Sequence, residues 1–89
     1  MEKIVDSFAQ VDFSEIKLPI AVIYDSPKDY PGEYVCRIWD GGNGLHPTDT
    51  IVEGRTLGEM QEDIQAAGFT LRFPRAEDDD PAIVETWIR

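Results

Sequence analysis

Residues 47–68 read PTDTIVEGRTLGEMQEDIQAAG, and this stretch decides the fold. It divides into a strand, a tight turn and a capped amphipathic helix. Thr56 suits the N-cap, because its hydroxyl can accept from an otherwise orphan amide of the first turn. Glu59 lies three residues on and completes a T-x-x-E capping box. Leu57, Met60, Ile64 and Ala67 recur at spacings of three, four and three, which puts them on one helical face. Glu59, Glu62, Asp63 and Gln65 fall elsewhere and can stay wet. Glu59, Glu62 and Asp63 also lie nearer the N-terminal end, where the helix dipole favours anions. Gly68 can take the left-handed conformation that closes a helix. Gly58 works against it by up to about 1 kcal/mol relative to Ala. The spacing predicts a helix over 57–67.

Outward from this helix the chain reads as strands. Residues 20–24, IAVIY, form a continuous apolar run too short for a helix, hence a central strand buried on both faces. Residues 25–32, DSPKDYPG, are dense in turn formers. In 33–39, EYVCRIW, Tyr34, Cys36 and Ile38 make one face and Glu33, Val35, Arg37 and Trp39 the other. Residues 40–47, DGGNGLHP, make a loop in which Asn43-Gly44 favours positive φ. A third strand spans 48–53. After the helix, FTLRF at 69–73 alternates, which predicts Phe69, Leu71 and Phe73 inward. Residues 75–81, RAEDDDP, form an acidic loop. Residues 83–88 make a last strand, with Ile83, Glu85 and Trp87 opposite Val84, Thr86 and Ile88. In the arm of residues 1–17, Ile4, Phe8 and Val11 at helical spacing predict a short N-terminal helix over about 2–10. The expectation is one α+β domain spanning 1–89, its body at 18–89. It is an antiparallel-rich sheet in β-β-β-α-β-β order with one main helix on one face.

Bulk properties narrow the function. The 89 residues suffice for one small core. A formal charge of −10 argues against a nucleic-acid backbone or an anionic membrane as direct partner, and suits a basic protein or plain solubility. Cys36 is the single cysteine, so no intrachain disulfide is expected and a reducing cytoplasm fits. No apolar run approaches the roughly 20 residues of a membrane span.

The element order resembles the HicB-like antitoxin domain, a partial, degenerate RNase H-like fold. The likeness runs from about residue 20 to residue 73. It rests on the hairpin that YVCRIWD can form, the short strand and turn, a helix opening with Thr56, Leu57 and Glu59, and the strand after it. The family usually carries a C-terminal DNA-binding module, whereas this sequence ends in IVETWIR. The resemblance therefore implies a stand-alone domain that masks a basic toxin by protein contact.

No residue set has the pattern of a catalytic, cofactor or metal site. His46, the single histidine, lies near Asp40 and Asp49, the makings of a small hydrolase, but lacks a second nitrogen or thiolate ligand nearby. The Gly41, Gly42 and Gly44 loop leads into a strand, not the helix a phosphate loop opens. Val35, Arg37 and Trp39, with Trp87 from the last strand, form the candidate interface, because Trp and Arg dominate contact centres. A helix on one face leaves the other uncovered, which points to a homodimer; a small second core closed by the N-terminal arm would cover it equally well. Glu77, Asp78, Asp79 and Asp80 are candidate contacts to a basic partner. The competing reading is an acidic inhibitor that imitates nucleic-acid charge against a DNA- or RNA-binding protein.

Overall fold

The computed structural model describes residues 3–42, 44–54 and 56–89. Its elements are β1 (Lys3–Val5), a 3-10 turn (Phe8–Gln10), β2 (Pro19–Asp25), β3 (Tyr34–Asp40), β4 (His46–Glu53), α1 (Leu57–Ala66), β5 (Leu71–Pro74) and β6 (Ile83–Ile88). One six-stranded sheet runs β1-β4-β3-β2-β6-β5. The β1–β4 pair is parallel and the other four pairs are antiparallel. The class is α+β, as expected, with one strand more. Among the described residues no helix is long and apolar enough to cross a membrane.

The helix ends as its sequence dictates. Thr56 Oγ1 accepts the Glu59 amide at 3.2 Å and donates to Glu59 Oε1 at 3.1 Å. At the other end Gly68 has φ +94°. Its amide bonds the Gln65 carbonyl and the Phe69 amide bonds that of Ile64, the two bonds of a Schellman motif. The motif carries a hydrophobic contact between its first and last residues, and Ile64 and Phe69 are both in the core. Gly54, just before the helix, passes so close to strand β3 that a Cβ there would run into the Tyr34 carbonyl.

The core lies between the sheet and α1. Ala21, Ile23, Cys36, Ile38, Val52 and Trp87 supply the sheet side, and Met60, Ile64, Phe69 and Phe8 the cover. Central β2 has Ala21, Val22 and Ile23 all buried, so both of its faces are covered.

The N-terminal arm departs from its expectation. In place of a helix over 2–10 (residue 2 is outside the described residues) there is a short edge strand and then a 3-10 turn. Ile4 aligns with Ile51 on the sheet face away from α1, while Phe8 enters the core. Ser7 ends the strand: its Oγ accepts the Ala9 amide and donates to Asp63 Oδ1. Asp63 Oδ2 accepts the Phe8 amide at 2.8 Å, so this helix carboxylate anchors the arm, where the sequence suggested a wet position. Phe8 and Phe13 then pack edge-on against Phe69, each at 5.8 Å, and the Arg89 guanidinium sits 4.6 Å over the Phe13 ring. The arm closes the helix side of the sheet, not the opposite face.

A second correction concerns 69–73. Only Phe69 is inward, because it belongs to the helix cap and precedes β5. Leu71 and Phe73 align with Ile88 and Thr86 on the face away from α1 and are 54% and 47% exposed. Strand β5 is an edge, and β6 is interior.

Candidate interaction surface

Strand register assigns each residue to a face, since cross-strand partners share one. Across the helix-free face one row runs Leu71, Ile88, Ile20, Trp39, Pro47. The next runs Phe73, Thr86, Val22, Arg37, Ile51, Ile4. Arg37 is the one ionisable group in the two rows. Val22, Val35 and Ile51 are buried although they face away from the helix. Their neighbours include the 25–33 loop: Pro27, Asp29 and Tyr30 join Tyr24, Val35, Arg37 and Ile51 around a shallow concavity of ≈ 220 Å³. Thus a thin second layer covers the middle of this face, while Ile4, Leu71 and Phe73 remain exposed at its two edges.

The four candidate interface residues do not stay together. Val35, Arg37 and Trp39 share the helix-free face. Trp87 pairs with Ala21 on the other side and is a core residue, 6% exposed. Alternation placed Val35, Arg37 and Trp39 correctly on one face of β3, but it missed the bulge that separates Ile83 from Glu85 and could not relate the phase of β6 to that of β3.

Arg37 Nη1 donates to the Thr48 carbonyl at 3.1 Å, where β4 shifts register against β3. Thr48 Oγ1 donates to the Ile38 carbonyl at 2.7 Å and ties down the same irregularity. The Trp39 indole N–H is buried and, among the described residues, has no hydrogen-bond partner. Burial pushes the neighbouring Tyr24 phenol above its ordinary pKa, against the smaller opposing effects of the Trp39 N–H, which approaches the phenol oxygen short of hydrogen-bond geometry, and of the Arg37 charge. Trp87 differs: its N–H donates to Glu85 Oε2 at 2.6 Å, and that oxygen also accepts Gln61 Nε2 from the helix at 3.0 Å. Glu85, only 6% exposed, joins helix to sheet, a role its sequence position did not signal.

The acidic loop is built around Arg75. Its guanidinium donates to the carbonyls of Glu77, Asp79 and Asp80. Asp79 Oδ2 accepts the Ala76 amide and Asp80 Oδ1 the Ala82 amide, so both carboxylates shape the turn. Glu77 and Asp78 are exposed. The four candidate partner contacts therefore divide into two turn formers and two surface charges.

Asp40 and His46 are cross-strand partners. The Asp40 carboxylate accepts three amides, Gly42 at 2.8 Å, Leu18 at 3.2 Å and Lys17 at 3.3 Å. These bonds, the Gly42 one foremost, hold its carboxyl below the usual range, and His46 adds a lesser pull. Asp40 is thus a structural acceptor that fastens the arm to the β3–β4 loop. His46 is exposed at the start of β4, its Nδ1 3.0 Å from the Gly44 carbonyl, and Asn43 lies outside the described residues. Asp49 accepts the Thr50 hydroxyl at 3.4 Å. Among the described residues no His, Cys, Asp and Glu side chains gather as a metal-holding group. Cys36 is fully buried, and desolvation raises its thiol pKa far above its ordinary value, which disfavours the thiolate.

No family model, curated protein or solved structure matches this chain.

Proposed function

We propose that this protein is a small non-enzymatic binding domain that acts by protein–protein contact through the helix-free face of its sheet. The observation that carries the reading is the apolar surface there, with Leu71 and Phe73 half-exposed on an edge strand while comparable side chains on the other face are buried. Exposed large apolar groups that adjoin one another mark interaction sites. The HicB-like resemblance supports the same reading: the β2–β3 hairpin, β4, the Thr56-capped helix and β5 follow one another in that family's order. A basic partner accords with the −10 charge.

Affinity capture from the native lysate tests the proposal. A basic protein should be retained at low and moderate salt by the wild-type bait and lost from a Phe73→Glu bait. Retention of nothing above background at either salt sinks the reading. Glu77→Gln with Asp78→Asn tests the loop charges without touching the turn, which Asp79 and Asp80 hold.

A second reading, an acidic inhibitor that imitates nucleic acid, has one observation behind it. Asp6, Glu33 and Glu53 line one concavity, and Glu59 and Asp63 join Asp6 and Glu53 in the adjoining one, so carboxylates gather away from the 77–80 loop as well. Competition by duplex DNA for the captured partner separates the two: displacement favours the mimic, and indifference the contact domain.

A further inference from the structure

We draw no further inference here: the strongest candidate, the apolar row Leu71, Ile88, Ile20 and Trp39 across one end of the helix-free face, belongs to the surface already described, and nothing in the structure shows what covers it.

Discussion

The two tryptophans sit on opposite faces of one sheet and meet opposite conditions. Trp87 lies under the helix, and its N–H is bonded to a buried carboxylate that α1 also grips. Trp39 lies half-buried on the other face, and its N–H is buried with no hydrogen-bond partner among the described residues. Desolvating a donor without replacing its water costs about 1–3 kcal/mol, whereas a charge-assisted bond in a dry site stabilises. The helix side is thus a finished interior. The other side is apolar and more thinly covered, with Ile4, Leu71 and Phe73 exposed at its edges.

Truncating one phenylalanine on each side gives the sharpest contrast. Phe69→Ala empties a place that is 1% exposed beside Phe8, Phe13 and Ile64, and should cost about 3–5 kcal/mol. Phe73→Ala should cost under about 1 kcal/mol. Urea midpoints measure both, and equal losses would erase the distinction between the faces. The tryptophans make the next pair. Trp87→Phe removes a donor from Glu85 and should cost about 1–3 kcal/mol, while Trp39→Phe deletes a donor with no partner among the described residues and should cost less than about 1 kcal/mol. A larger loss at Trp39 would mean that its N–H is satisfied after all.

The cover itself can be loosened. Thr56→Ala removes the acceptor of the Glu59 amide and should cost about 1 kcal/mol, with Thr56→Asp restoring most of it. Thermal unfolding of the three proteins is the measure. The smallest expected effect lies at the sheet rim and depends on pH. The Asp40 carboxyl is held below its unfolded value near about 3.9. Its contribution is therefore fully present above that value and lost as pH falls through the folded one. Wild type should exceed Asp40→Asn in urea midpoint at pH 6, and the gap should close toward pH 3. A gap independent of pH would assign the effect to shape, not charge.

The sequence made the helix side readable because each signal there is local. Thr56, Glu59 and Gly68 fix both helix ends within a few residues, and the apolar run of β2 states its own burial. The errors came where a local pattern had two solutions. Ile4, Phe8 and Val11 fit a helix, yet also fit a strand followed by a turn, and Ser7 with Asp63 decides between them from 56 positions apart. Phe69, Leu71 and Phe73 alternate as a strand should, but Phe69 answers to the helix cap. A Gly at the cap followed by an apolar residue is the signal that could have separated it. Trp87 was assigned to the wrong company because alternation fixes sides within a strand and only pairing fixes them between strands. Glu85 had no legible signal, since its role arises where Trp87 and Gln61 converge.

The parallel pairing of Lys3–Val5 with Thr50–Val52 has a consequence in time. A chain grows from its N-terminus, so the residues of β1 emerge while their partners are still untranslated. Ser7 and Phe8 wait longer still, until Asp63 exists to receive them. Of the strands described, the earliest made is among the last that can be placed. During synthesis it is the antiparallel hairpin β2–β3, its partners close in sequence, that can form first, and the arm joins an edge already laid down.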